Sequence, residues 1–100
     1  MSIRIINLRN YRRNEKEVLF KVDRSTPVGN PFYMRNEADR DTVCEKYAEY
    51  FKTKIGVDRE FTDYIKQIII TSQIHDVALG CWCYPKRCHA ETIKEFIERL

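Results

Sequence analysis

The sequence has little glycine and proline, with three of each among its 100 residues. That scarcity argues against a loop-rich scaffold held together by disulfides. No apolar run approaches the roughly 20 residues of a membrane span, and the first residues lack the long apolar stretch of a secretory signal. The net charge is only +3, which argues against a nucleic-acid coat or a membrane-surface patch.

What the chain does contain is enough apolar material for one modest core. Hydrophobic residues make up 43% of the sequence and aromatic residues 12%, so we expect one domain spanning residues 1–100. Three of the four cysteines lie within eight residues, and Cys81 and Cys83 are too close for an unstrained bridge. Cys44 falls in a helical pattern. We therefore expect reduced thiols and a cytosolic protein.

The pattern of apolar residues predicts strands that are mixed with helices. β-branched and apolar runs indicate three strands, and apolar residues at helical spacing indicate three helices. The predicted strands cover residues 3–8, 18–22 and 77–82, and the predicted helices cover 38–55, 58–72 and a segment after Pro85. This order favours an α/β fold, with a small central sheet of about three or more strands, mixed in direction, covered by about three helices. In such sheets ligands bind beyond the carboxyl ends of the strands.

The densest chemistry lies between Cys81 and His89, where Cys-x-Cys-x4-Cys-His offers four metal-capable side chains. In an extended strand Cys81 and Cys83 would be about 6.6 Å apart, whereas two thiolates that share a zinc ion approach to about 4 Å. Cys88 and His89 are neighbours, and neighbouring helical residues point about 100° apart. A functional site without metal is therefore favoured over structural zinc, and simple packing is a third interpretation.

The start of the last predicted helix is suited to an anion. Its first backbone N–H groups are unpaired, and Lys86 and Arg87 add positive charge. The same surroundings would lower the pKa of Cys88 and make it a candidate nucleophile, while His89 could bind an anion or transfer a proton. The alternatives are a small buried cysteine and a histidine that only caps the helix. We expect Trp82 to lie in the core, and the alternative is that it provides a stacking platform.

A second feature is Gly29-Asn30-Pro31, which predicts a rigid loop that presents one carboxamide. That group suits recognition of a base edge or a sugar, although an asparagine that only stabilises its own turn is an equal alternative. Arg24 and Arg40 could contact phosphate through paired hydrogen bonds, and the alternative is that they only pair with surface carboxylates. We expect Arg24, Asn30 and His89 to share one pocket at the strand ends.

Four segments together resemble a family of small phage and bacterial proteins classed as a domain of unknown function. The segments are Asn7-Leu8-Arg9, Asp23-Arg24 leading to Gly29-Asn30-Pro31-Phe32, Arg40-Asp41 with Tyr47, and Leu79-Gly80-Cys81-Trp82-Cys83-x-Pro85-x-x-Cys88-His89. The resemblance implies a phage-type origin and a polar site made from these motifs. It brings no established reaction.

We therefore expect binding, processing or sequestration of a nucleotide-like or other anionic small molecule, without a cofactor. The predicted ligand-binding residues are Asn7, Arg9, Arg24, Gly29, Asn30, Pro31, Arg40, Cys81, Cys83, Lys86 and Arg87, and Cys88 and His89 are the predicted catalytic residues if a reaction occurs. The alternative is a zinc-stabilised module that acts on a host protein. The expected location is the cytoplasm, that of the host if a phage encodes the chain. Neither nucleic acid nor a membrane is an expected partner, and the oligomeric state stays open.

Overall fold

The computed structural model describes residues 2–100. Three strands and three α-helices form where the sequence predicts them. The elements are β1 (Ile3–Asn7), β2 (Glu17–Lys21), α1 (Arg40–Lys54), α2 (Arg59–Ser72), β3 (Asp76–Cys81) and α3 (Ala90–Glu98), with one 3-10 turn at Glu37–Asp39 before α1. The α/β class is thus confirmed.

The sheet has the order β1-β3-β2 and all its strands are parallel. The predicted mixed direction is therefore wrong. Only residues 8–16 connect β1 to β2, a length typical of neighbouring antiparallel strands. Here β3 lies between β1 and β2. The connection therefore crosses over β3, and β2 runs in the same direction as β1. Asn7 pairs with Cys81 and Lys21 with Gly80, which brings all three carboxyl ends to one edge.

The core lies on the face of the sheet that the helices cover. Val77, Leu79 and Cys81 alternate along β3 and point to this face. They join a cluster of buried side chains from all three helices, which includes Tyr47, Phe51, Phe61, Ile65, Ile68, Ile93 and Ile97. Each large apolar side chain buried in this way contributes about 1.5–3 kcal/mol, so this cluster holds the strand ends in place.

The opposite face is covered by the connection between β1 and β2. A Cβ atom on Gly80 would lie 2.5 Å from Cδ2 of Leu8, so Leu8 packs directly on the middle strand. Arg4 of β1 reaches Glu17 of β2 with two hydrogen bonds, of 2.7 and 2.8 Å. The Tyr11 hydroxyl donates to the same carboxylate at 3.1 Å. These contacts join the two outer strands.

In the turn between α1 and α2, a glycine ends one helix and an aspartate caps the next. Gly56 has a φ of +80°, a conformation that favours glycine, directly after α1 ends. The Asp58 carboxylate then accepts a hydrogen bond from the backbone N–H of Phe61, at 3.0 Å, and caps α2. No helix within residues 2–100 combines the length and apolar character needed to cross a bilayer.

Candidate functional site at the carboxyl edge of the sheet

A cleft of about 320 Å³ opens at the carboxyl edge of the sheet. It collects side chains from five separate parts of the chain. The lining residues are Asp23 and Arg24 after β2, residues 30 and 32–34 of the following loop, Arg40, Val43 and Cys44 of α1, residues 81–83 at the end of β3, and residues 87–89 before α3. Arg24, Asn30 and His89 line this one cleft.

The loop after β2 is held by its own hydrogen bonds. Arg24 donates through Nε to the carbonyl of Asn30 at 2.9 Å and through Nη2 to the carbonyl of Phe32 at 3.1 Å. Oδ1 of Asn30 accepts from the backbone N–H of Phe32 at 2.9 Å. The carboxamide oxygen thus stabilises its own turn, which was the alternative interpretation of this asparagine.

Gly29 is needed because the loop returns against its own beginning. A Cβ atom at this position would lie 2.4 Å from the carbonyl oxygen of Asp23 and 2.5 Å from Cα of Arg24. Both are backbone atoms, which cannot turn aside as a side chain can. Gly29 therefore serves the shape of the loop, and neither it nor the exposed Pro31 is among the residues that line the cleft.

His89 is buried where β2, α1 and α3 meet. Its Nε2 donates a hydrogen bond to the carbonyl of Val22, and its ring packs edge-on against Tyr47, with centroids 4.9 Å apart. Burial lowers the pKa of His89, which favours the neutral ring. With the proton on Nε2, Nδ1 is left as an acceptor.

Cys81 and Cys88 form a close pair of thiols at the floor of the cleft, with 3.0 Å between their sulfur atoms. The pKa of Cys81 lies below the ordinary thiol value because Cys88 donates its S–H to that sulfur, although burial acts in the opposite direction. The pKa of Cys88 is raised, by the same hydrogen bond and by burial. The expectation of a thiolate at Cys88 is thus reversed, since the thiol that donates the proton keeps it.

Most cations around the cleft are paired with carboxylates outside it. Arg40 binds Glu37 at 2.9 Å, and Lys86 reaches the same carboxylate at 3.3 Å. Arg40, followed by Lys86, lowers the pKa of Glu37 to about 2. Arg87 pairs with Asp41 at 3.1 Å.

Arg24 differs from these cations. Its guanidinium lies 3.8 Å from the ring centre of Tyr33, a cation–π contact. Among residues 2–100 no carboxylate lies within ion-pair distance of it. Its positive charge is therefore the least neutralised at the cleft.

Trp82 is 57% exposed, so the expectation of a core tryptophan is wrong. It follows the last residue of β3, where the alternation between two faces of a sheet no longer applies. Its indole Nε1 donates to Oδ2 of Asp23 at 3.0 Å. Together with Tyr33, which is 74% exposed, it puts aromatic surface at the mouth of the cleft.

A family comparison covers nearly all of this architecture: residues 6–99 match the family described as a domain of unknown function, DUF4326. The chain belongs to that family. Searches of curated proteins and of solved structures find no significant match to this chain. The resemblance inferred from the sequence is confirmed at the level of a DUF4326 domain, whereas the motif pattern and the phage origin stay predictions.

Some residues predicted to bind ligand lie outside the cleft of this DUF4326 domain. Asn7 donates through Nδ2 to the carbonyl of Tyr84 at 2.9 Å, and its Oδ1 accepts from the backbone N–H of Arg9 at 2.9 Å. Its carboxamide thus holds the segment after β3. Arg9 and Lys86 are exposed and do not line the cleft.

Other lining residues were not among the predicted site residues, namely Asp23, Phe32, Tyr33, Met34, Val43, Cys44 and Trp82. The signal available for three of them was the run Phe32-Tyr33-Met34, which puts large apolar side chains in a loop. Within residues 2–100, no three His, Cys, Asp or Glu side chains converge as metal ligands. Cys83, one of the residues predicted to bind a small-molecule ligand, lines the cleft together with Arg40.

Proposed function

We propose that the cleft binds an anionic small molecule with a planar, nucleotide-like part. The observation that carries this proposal is the position of Arg24, a cation without a carboxylate partner among the described residues, in a cleft beside exposed Tyr33 and Trp82. A group with this charge and these neighbours suits a ligand that joins an anion to a flat ring.

The charge of the cleft supports an anionic ligand. Three arginines line it, Arg24, Arg40 and Arg87, against one aspartate, Asp23. The carboxylates that pair with Arg40 and Arg87 do not line the cleft. Arginine forms paired hydrogen bonds with phosphate or carboxylate oxygens, which are about twice as strong as hydrogen bonds between neutral groups.

The aromatic rim supports the planar part of the ligand. Tyr33 and Trp82 expose large rings, and Phe32 and Met34 add apolar surface next to them. Stacking of a base on an aromatic side chain contributes about 1–3 kcal/mol. A volume of about 320 Å³ lies at the lower end of the range for small-molecule pockets, so the cleft has room for one small ligand and not for a polymer.

The location of the cleft agrees with the proposal as well. Parallel α/β sheets bind ligands beyond the carboxyl ends of their strands, and this cleft lies at that edge. Cys81, Cys88 and His89 also line it, so a bound ligand would lie close to these mostly buried side chains. The four free thiols fit a reducing compartment such as the cytoplasm.

Isothermal titration calorimetry with nucleoside monophosphates, nucleoside diphosphates and inorganic phosphate tests the proposal. Loss of a hydrogen bond to a charged group costs about 1.5–3 kcal/mol, so Arg24→Ala should weaken binding by roughly 10- to 150-fold. Arg24→Lys keeps the charge without the two-pronged geometry and should lie between Arg24→Ala and the wild type.

The matched control is Arg59→Ala, because Arg59 is an arginine on α2 with a side chain 94% exposed and away from the cleft residues. It should bind like the wild type. Circular dichroism of each variant checks that the loop substitution leaves the fold intact. Absence of binding across the whole panel, or equal affinities for Arg24→Ala and Arg59→Ala, would refute the proposal.

A further inference from the structure

The pair formed by Cys81 and Cys88 has a geometry that the binding proposal does not use. Cys81 ends β3, and Cys88 lies two residues before α3. Their sulfur atoms are 3.0 Å apart, and both side chains line the cleft. A disulfide has a sulfur–sulfur distance of about 2.05 Å, so the atoms need to approach by only about 1 Å.

We propose that Cys81 and Cys88 are an oxidation site for small hydroperoxides, at which a reversible disulfide forms across the floor of the cleft. The proposal is independent of which ligand the cleft binds. It concerns a covalent modification of two named side chains and is tested without a ligand.

Cys81 is suited to react first. It accepts the S–H of Cys88 at 3.0 Å, and this hydrogen bond is the largest influence that lowers the pKa of its thiol. The thiolate is the form that attacks an oxidant. At Cys44, by contrast, burial is the largest influence, and it raises the pKa of that thiol.

Access limits the size of the oxidant. Cys81 is 1% exposed and Cys88 is 4% exposed, and both are reached through the cleft. Hydrogen peroxide is the size of two water molecules and can enter such a site. A bulky disulfide such as an oxidised aromatic thiol reagent cannot approach the sulfur atoms along the line that exchange requires.

The chemistry balances with the hydroperoxide as the oxidant. The Cys81 thiolate attacks the terminal oxygen of the hydroperoxide, so that a sulfur–oxygen bond forms and the oxygen–oxygen bond breaks. The product is a sulfenic acid on Cys81 and an alkoxide or hydroxide, which takes up a proton from water. The Cys88 sulfur then attacks the Cys81 sulfur, a sulfur–sulfur bond forms, and hydroxide leaves with the Cys88 proton as water. Two thiols lose two electrons, and the hydroperoxide is reduced to an alcohol or water.

Treatment of the folded protein with a small excess of hydrogen peroxide tests this. The reaction is quenched, the protein is alkylated in denaturant, and free thiols are counted and mapped by mass spectrometry. Untreated protein should show four free thiols. Treated protein should show two, with one peptide pair that joins Cys81 to Cys88, and dithiothreitol should restore all four.

Single substitutions identify the role of each thiol. Cys44→Ser and Cys83→Ser are the matched controls and should still form the Cys81–Cys88 bond. Cys88→Ser should stop at a sulfenic acid on Cys81, which dimedone traps. Circular dichroism checks the fold of each variant, and peptide mapping of the wild type decides the pairing even where a variant fails to fold. Four free thiols after treatment, or a bond that joins Cys83, would overturn the proposal.

Discussion

The Tyr47 hydroxyl offers a direct test of how the cleft loop is held to the body of the domain. Tyr47 lies on α1 with no exposed surface, and its hydroxyl donates to the backbone carbonyl of Val28 at 2.7 Å. Val28 is itself fully buried and belongs to the loop that carries Asn30. In Tyr47→Phe the ring still packs against His89, but the carbonyl of Val28 loses its partner.

The cost of this change follows from the burial of that carbonyl. An unsatisfied buried acceptor costs about 1–3 kcal/mol. In a domain of about 100 residues, 1 kcal/mol corresponds to a change in Tm of roughly 4–8 °C. We therefore expect Tyr47→Phe to lower the free energy of unfolding by about 1–3 kcal/mol and the Tm by roughly 4–24 °C.

Urea unfolding followed by circular dichroism measures the free energy, and a thermal scan measures the Tm. The matched control is Tyr33→Phe, which removes the same hydroxyl from a side chain that is 74% exposed. It should stay within about 0.5 kcal/mol of the wild type. Equal stabilities for the two variants would refute the role assigned to the Tyr47 hydrogen bond.

Three further predictions concern neighbouring features. Burial lowers the pKa of folded His89 below its unfolded value of about 6.5. As the pH drops, the unfolded chain therefore binds this proton before the folded chain does. The free energy of unfolding should thus fall as the pH drops below about 6.5. His89→Gln should weaken that dependence in urea unfolding at pH 7 and 5.5, whereas an unchanged slope would contradict it. Gly29→Ala should lower the free energy of unfolding by about 1–3 kcal/mol through overpacking and weaken ligand binding. In Gly56→Ala the added Cβ meets no atom within 4 Å, so this variant should lower stability through its positive φ and leave ligand binding unchanged. Protein purified without chelator should carry less than one zinc per chain by elemental analysis, and one zinc per chain with loss of fold on chelation would refute this.

Local signals in the sequence predicted the elements of the fold well. The helical spacing of Tyr47, Phe51, Ile65 and Ile68 predicted the buried stripes of α1 and α2, because a helix repeats every 3.6 residues whatever it packs against. Asp58 and Gly56 likewise marked a helix start and a helix end by local chemistry. The position of the candidate cleft, at the carboxyl ends of the strands, was expected from the same reasoning.

Tertiary structure decided the rest, because it depends on which distant residues meet. The parallel direction of the sheet required β3 to insert between β1 and β2, and no local pattern encodes that order. Trp82 faces solvent because β3 ends at Cys81, and Asn7 holds the carbonyl of Tyr84 because the pairing of β1 with β3 brings them together. The hydrogen bond from Cys88 to Cys81 depends on a 3.0 Å contact across a loop. The sequence alone determined which groups could do chemistry, and only the packed chain decided which of them are already engaged with one another.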